Sequence, residues 1–412
     1  MNETHAVPER YAAEAQMDEF LRRTWVQVDL DAIRHNYEEI RRAVSPAAGM
    51  MAVVKADGYG HGAVYVAREL AACGADWFAV SNIEEAVELR RAGLSQPVLI
   101  LGYTPPQLAG ELASHRISQT VFSTSYGEAL SKGAVEAGVA VNIHIKIDTG
   151  MNRLGFFCQQ EDCAASIDEA AQVCTLPGLV PEGIFTHFAV SDEGEEGEAF
   201  TQHQFEQFCR AVDALCEKGI RFRYRHCCNS AGVLCYPQMN LDLVRPGIIL
   251  YGLAPSGKCK DVLSLRPAME LKSVISMVKE IGPAATVSYG RTYAAQNPMR
   301  VATVPVGYAD GYPRLASSKT RALVAGKPAK VVGRVCMDQL MLDVTGIPEA
   351  KEGMTVTMFG RDGEAFLPIE ELSDAVGTIP YETVCLIGKR VPRVYVKNGK
   401  VIGVADYLKA GD

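Results

Sequence analysis

What the sequence lacks narrows its possible roles. No low-complexity tract interrupts its 412 residues, of which 48% are hydrophobic, so the chain can bury two sizeable cores and two domains are expected. No basic cluster offsets a net charge of −8, which disfavours a nucleic-acid or anionic-membrane partner and favours a small or cationic one. The first 24 residues, MNETHAVPERYAAEAQMDEFLRRT, are charged and lack an apolar core. They read as an extension, neither signal peptide nor membrane anchor, and a cytoplasmic location is expected. Neither CxxC nor a Cys/His metal spacing occurs among the twelve cysteines, so no metal site is expected. Adjacent Cys227 and Cys228 would make only a strained disulfide, and reduced thiols are the expectation. No GxGxxG follows an early strand, so the signature of an open dinucleotide-binding sheet is missing.

What is present is a regular alternation. Apolar, β-branched runs of strand length occur at 50–54, 77–80, 98–101, 118–122, 141–147, 182–187, 224–228 and 244–250. Between most of them lie amphipathic segments such as GAVYVARELAACG and IEEAVELRRAG, often closed by glycine. Eight strand-then-helix units over roughly 220 residues predict a (β/α)8 TIM-type barrel. From about residue 262 the texture changes to short strands and turns, which predicts a mostly β C-terminal domain. The expected boundaries are an extension over 1–24, the barrel over 25–261 and the β domain over 262–412. The early run WVQVDL has no place in a closed barrel and is expected to pair with the second domain.

Barrel enzymes carry their chemistry after the carboxyl ends of the strands. The first strand leads into Lys55 and then Tyr59, inside MAVVKADGYGHGA; the fifth delivers DTGMNR and Arg153; the sixth His187; the seventh Asn229 and Ser230; the eighth contains Arg245 and Gly247. Each alone has an ordinary explanation: a solvated lysine cap, a satisfied core histidine, a buried ion-pair arginine, a helix-capping serine. Together they describe more. A lysine leaving a buried strand can lose its proton and condense with an aldehyde. A hydroxyl at a helix start is a ready phosphate site, and an arginine can face a ring nitrogen. Aldehyde, phosphate and ring nitrogen are the three handles of pyridoxal phosphate.

At this point the chain resembles the alanine racemase family, whose fold is shared with some amino-acid decarboxylases. The resemblance runs from about Trp25 to Tyr395. It rests on the ordered series AVVKADGYGHG, KIDTGMNRLGF, THFA, NSAG, RPGIILYG, VSYG, GYADGYPR, GRVCMDQ and PYE. It implies that Lys55 bonds pyridoxal phosphate covalently and Arg245 faces its pyridine nitrogen. Tyr59, Ser230, the backbone around Gly247 and Ile248, and Tyr381 would hold the phosphate, with His187 and Asn229 beside the cofactor. Tyr289 would be a second catalytic base, reaching the site from the other subunit of a head-to-tail homodimer. Arg153 and the backbone near Met337 would take the substrate carboxylate, with Asp338 nearby. Lys146 matches a lysine that is often carbamylated and orients that arginine, and Tyr308, Arg314 and Arg334 resemble entrance residues.

Racemisation needs a proton removed from one face and returned to the other, so two bases suffice, and Lys55 and Tyr289 would be that pair. A free phenol titrates near about 10, so Tyr289 needs nearby positive charge, which His187 linked to Arg245 would supply. The implied activity is interconversion of L- and D-alanine, probed against three rivals. A serine or broad-specificity racemase fits the same frame, but its members replace the tyrosine of PYE, and Tyr381 is intact. A decarboxylase would place glutamate at Arg245 and arginine at Ile248. A noncatalytic pyridoxal-phosphate carrier would stop after the barrel. D-alanine supply for peptidoglycan is the expected role.

Overall fold

The computed structural model describes residues 23–160 and 162–409. They form two compact units, one of residues 32–58 and 63–266, the other of residues 23–31, 59–62 and 267–409. Strand β1, Thr24–Asp29, belongs to the second unit. In the first unit eight barrel strands follow: β2 Gly49–Val53, β3 Trp77–Val80, β4 Val98–Ile100, β5 Ile117–Val121, β6 Val141–Asp148, β7 Leu179–Phe185, β8 Tyr224–His226 and β9 Leu243–Val244; the short strand Phe156–Phe157 pairs with β6 beside them.

These eight strands run parallel in the order β9-β2-β3-β4-β5-β6-β7-β8. Between β8 and β9 there is no ladder, but Asp242 N–H donates to Arg225 O at 3.0 Å and Arg245 N–H to Cys228 O at 2.9 Å. Those two bonds close the ring at its last seam. WFAV of β3, VLI of β4 and ISQTV of β5 are buried at every position, as expected of a parallel sheet covered on its outer face by helices and filled on its inner face by side chains. Helices Ile83–Arg91 and Thr124–Glu136 start cleanly because Asn82 and Ser123 cap them, accepting from Glu85 N–H and Tyr126 N–H. The eighth predicted run, 244–250, is a strand for only its first residue. After Val244 it turns into a 3₁₀ segment, Ile248–Tyr251, because Pro246 cannot donate to a ladder.

The second unit holds β10 Met269–Val274, β11 Met277–Ile281, β12 Met299–Val304, β13 Arg321–Val324, β14 Lys327–Val331, β15 Leu340–Asp343, β16 Thr355–Asp362, β17 Arg393–Lys397 and β18 Lys400–Ala405. They lie in the order β11-β12-β15-β14-β13-β16-β10-β1-β17-β18. Strand β10 alternates buried and half-buried residues, the period of a sheet with one face on a core. WVQVDL sits where its sequence suggested: β1 is antiparallel to β10 and parallel to β17. Trp25 packs there with Val394 and Val404.

Cysteine usage departs from expectation at one place. Cys158 and Cys163 form a disulfide, with Cα atoms 5.1 Å apart. Cys227 and Cys228 are not disulfide-bonded, in line with expectation.

One buried side chain organises the second unit around the segment 59–62. Arg393 is 2% exposed. Its guanidinium donates to Gly60 O at 3.0 Å, Gly388 O at 2.7 Å, Val391 O at 2.6 Å and Ile387 O at 2.8 Å. Just beyond, Gly62 has φ +91°, and a Cβ there would lie 1.7 Å from Tyr395 Oη. Replacing Arg393 with leucine strands four carbonyls, and each buried orphan costs about 1–3 kcal/mol. Arg393→Leu is therefore expected to lower stability by about 3 kcal/mol or more, read as the midpoint of chemical denaturation. A shift under about 1 kcal/mol would show that these bonds are no stronger than surface contacts.

Candidate active site

The first unit collects its polar side chains where the barrel strands end. Lys55 follows β2 and opens an unusual turn: Ala56, Asp57 and Gly58 all have φ between 53° and 61° with ψ between 43° and 49°. Tyr59 continues it at φ 52°. Left-handed backbone costs an L-residue about 1–2 kcal/mol, so the three non-glycine examples among these four residues must be held in place. Glu85 Oε1 accepts Ala56 N–H at 2.7 Å and Asp57 Oδ1 accepts Ala63 N–H at 2.9 Å. Strain so braced, directly after a strand-end lysine, is what functional turns show.

Across the barrel, Arg245 is buried, at 3% exposure. Its Nη1 donates to His226 Nδ1 at 2.7 Å, and its Nη2 to Thr186 O at 2.8 Å and Cys227 O at 3.0 Å. His187 Nδ1 lies 3.4 Å from the same Nη2. Burial lowers the Arg245 pKa to about 10, so it stays charged at neutral pH. Burial and the cations Arg245, Lys146, Arg153 and Lys55 push the His187 imidazole well below its ordinary range. The residue as a whole is half-buried, and burial first, then the neighbouring cations, makes protonation unfavourable. The expected source of positive charge therefore shifts: Arg245 carries it, and His187 is neutral.

Ser230 begins the short helix Ser230–Cys235. Its Oγ accepts Gly247 N–H at 2.9 Å, which joins the helix start to the turn that leads into Ile248. Asn229 is spent on structure: its Oδ1 caps the helix by accepting Gly232 N–H at 2.9 Å and accepts Ser191 Oγ–H at 3.0 Å. At the end of β6, Asp148 Oδ1 accepts from Gly150 N–H and Asn152 N–H at 3.0 and 3.1 Å, shaping the loop that presents exposed Arg153. Lys146 faces the barrel interior at 6% exposure, donating to Ile147 O at 2.9 Å. Burial, reinforced by Arg245, lowers its pKa to about 7.

The second unit holds the remaining predicted residues. Tyr59 and Tyr381 rings lie 6.2 Å apart, and burial pushes the Tyr59 phenol far above its ordinary pKa. Tyr289 is 70% exposed. Ser288 before it has φ 65° and ψ −176°, a region reserved almost for glycine. Its hydroxyl donates to Arg334 O at 2.7 Å, while the Arg334 guanidinium packs on Gly290, 2.8 Å from where a Cβ would stand. Met337 O accepts Ala309 N–H at 3.0 Å, and Tyr308 N–H donates to Cys336 O at 3.0 Å. Asp338 pairs with Arg390 at 2.7 Å, and Arg314 is exposed at the start of a 3₁₀ turn.

Three residues were missed by reading strand ends alone: His226, which meets Arg245; Thr186, whose carbonyl does; and buried Asp310, bonded by Arg23 and Arg390. His226 was visible in the middle of its strand run, 224–228, but a histidine inside an apolar run carries no mark of which face it takes.

Comparison with known proteins agrees with the architecture. Residues 28–255 match the family model "Alanine racemase, N-terminal domain", and residues 268–395 match "Alanine racemase, C-terminal domain". The alanine racemase of Desulfovibrio desulfuricans is 46% identical over 381 residues, covering 92% of this chain and 100% of that protein. That of Desulforamulus reducens is 49% identical over 373 residues, covering 90% and 98%. Among solved structures, the Clostridium difficile alanine racemase superposes with a TM-score of 0.88 at 37% identity, covering 94% of this chain and 99% of that one. The Bacillus anthracis alanine racemase with bound L-Ala-P gives 0.87 at 35% identity, again covering 94% and 99%. With both domains matched in order and relatives aligned over nearly their whole length, the chain belongs to the alanine racemase family.

Proposed function

We propose that the protein interconverts L-alanine and D-alanine with pyridoxal phosphate, the cofactor of its family, through two bases on opposite faces of the substrate. The observation that carries this reading is Arg245, a buried cation fixed at the barrel's carboxyl end. The donor set fits the cofactor: the Lys55 amine for its aldehyde, Arg245 for its ring nitrogen, and Ser230 joined to the Gly247 turn for its phosphate, with Tyr59 and Tyr381 completing the phosphate contacts. When bound, the cofactor would acidify the substrate's α C–H by drawing its electrons into the ring.

The remaining tasks fall to the chain. Lys55 Nζ and the Oη of the partner subunit's Tyr289 take and return the α proton, one on each face. From L-alanine the proton passes to the phenolate oxygen, and the Lys55 ammonium delivers its own to the other face; the reverse reaction restores both. Arg153 binds the substrate carboxylate, assisted by the backbone near Met337, with Asp338 nearby. Tyr308, Arg314 and Arg334 line the approach. Arg245 gives up no proton at neutral pH and leaves the ring nitrogen unprotonated, which weakens the electron sink and disfavours decarboxylation and transamination. Ile248, where a decarboxylase would have arginine, supports the same choice. A cytoplasmic homodimer supplying D-alanine for peptidoglycan completes the proposal, and alanine is favoured over serine because Tyr381 keeps the pocket small.

The direct test is the optical rotation of L-alanine with purified protein and pyridoxal phosphate. Decay to zero with total alanine constant is expected; an unchanged trace from cofactor-loaded protein would sink the reading. Tyr289→Phe is expected to slow α-proton exchange from L-alanine by about a hundredfold or more while exchange from D-alanine falls much less. Equal losses from both enantiomers would remove the two-base assignment.

Lys146 gives a pH prediction. Its pKa of about 7 leaves a neutral amine above that pH, and this amine adds carbon dioxide to give a carbamate and a proton. With ¹³C-bicarbonate, a carbamate resonance is expected above pH 7, weakening below it and absent from Lys146→Gln. Its persistence in that variant would assign it elsewhere. The sign for stability follows from a folded pKa below the ordinary 10.5: the unmodified protein gains stability as pH rises through the window from about 7 to 10.5, where only the unfolded chain keeps the proton.

A further inference from the structure

Arg245 is the end of a longer line of contacts that runs back through the barrel interior. His226 Nε2 lies 2.9 Å from His144 Nδ1, and His144 Nε2 faces Glu182 Oε1 at 3.4 Å. The last link is the loosest, lacking hydrogen-bond alignment, but among the described residues that buried Nε2 has no other partner. Glu182 is itself held: Ser118 Oγ donates to its Oε1, and Asn142 Nδ2 donates to its Oε2 at 3.2 Å.

Two features of the backbone make the line possible. The pairing of β6 with β7 shifts register there: Ile143 opposes Pro181 and His144 opposes Gly183, leaving Glu182 without a partner. A bulge of this kind re-aims a side chain, and here the re-aimed side chain meets His144. Gly183 leaves room for the imidazole, since a Cβ on it would lie 2.3 Å from His144 Nδ1. Aromatic rings wall the line. Trp77 packs edge-on to His144 at 5.4 Å, and Phe185 stacks on His226 at 4.8 Å.

The proton positions follow from donor rules. A guanidinium only donates, so His226 Nδ1 must accept and its Nε2 must carry the hydrogen. His144 Nδ1 then accepts, and the hydrogen of His144 sits on Nε2, on the side of the Glu182 carboxylate. Reversing either ring would set donor against donor at Arg245 and acceptor against acceptor at Glu182. Burial, then the neighbouring cation, keeps His226 neutral, and burial does the same for His144. Burial raises the Glu182 pKa, but the nearby His144 and the Ser118 hydrogen bond outweigh it, so Glu182 stays ionised more readily than an ordinary glutamate.

We propose that Glu182 is a positioning residue for the racemase site: acting through His144 and His226, it locks the tautomers so that His226 Nδ1 always offers Arg245 a lone pair. This rests on the reading of Arg245 as the ring-nitrogen partner, and deepens it. Without the carboxylate, His144 is free to move its hydrogen to Nδ1. His226 must then carry its own on Nδ1, against Arg245, and the guanidinium loses its shortest side-chain contact.

The test compares Glu182→Leu with Glu182→Gln, which keeps an acceptor oxygen. ¹⁵N spectra of the histidine side chains, recorded on cofactor-free protein, read the tautomers directly. The parent and Glu182→Gln are expected to show Nε2–H for His144 and His226, and Glu182→Leu to show Nδ1–H or a mixture. In the loaded enzyme, Glu182→Leu is expected to lower kcat/KM about tenfold, the cost of one charge-assisted hydrogen bond, and to shift the cofactor's visible band. Glu182→Gln should restore most of both. If the leucine variant does not fold, Glu182→Ala, which removes the carboxylate with a smaller side chain, is read in the same two ways. Unmoved tautomers, or moved tautomers with kcat/KM and the visible band unchanged, overturn the inference. Because the tautomers are read without cofactor, they test the line of contacts whether or not Arg245 meets the ring nitrogen. Arg245→Lys, assayed beside them, tests that assignment alone.

Discussion

Arg245 carries a positive charge into the barrel interior, where desolvating an ion costs several kcal/mol unless acceptors already surround it. Among the described residues no carboxylate pairs with it; two carbonyls and two imidazoles do the work. That choice constrains everything nearby. Carbonyls of Thr186 and Cys227 must end their strands facing inward, His226 must be neutral with a free Nδ1, and His187 cannot take a proton beside the cation. A carboxylate partner would have neutralised the field that the proposed chemistry uses. Carbonyl and imidazole partners hold the guanidinium while leaving its charge largely uncompensated.

The same field adds to burial at Lys146. Lys146 is buried near Arg245 and loses affinity for its proton, which leaves the neutral amine that the proposed carbamate would need. Adding a carbamate there would replace an unfavourable cation by an anion beside Arg153 and Arg245. The barrel interior thus reads as an excess of positive charge that the substrate carboxylate and cofactor phosphate would offset.

Strain marks the two proposed bases. Lys55 precedes a left-handed turn, and Tyr289 follows Ser288 in a backbone region that side chains avoid. Neither conformation would persist in an isolated peptide. Glu85 and Asp57 brace the first, Arg393 anchors the segment that follows it, and the Ser288 hydroxyl ties the second to Arg334 O. The cost of holding these turns is met by hydrogen bonds made elsewhere in the chain, which is why sequence near the bases is rich in glycine and short polar residues.

Strand periodicity, helix caps and turn residues are local properties, so the sequence by itself determined the eight barrel strands, the β texture of the second unit and the pairing of WVQVDL with it. The strand-end residues Lys55, Arg153, His187, Ser230 and Arg245 were legible for the same reason: in a parallel barrel, position along the chain already says which end a residue occupies. Which face a side chain takes inside an apolar run depends on register, and register belongs to two strands at once. Only the tertiary structure placed His144 and His226 in contact, turned Glu182 toward them at a bulge, and showed that Asn229 is spent on its helix. It also decided that the charge lies on Arg245 and not on His187, because a proton's position is set by the sum of surrounding charges and burial, which no single stretch of chain contains.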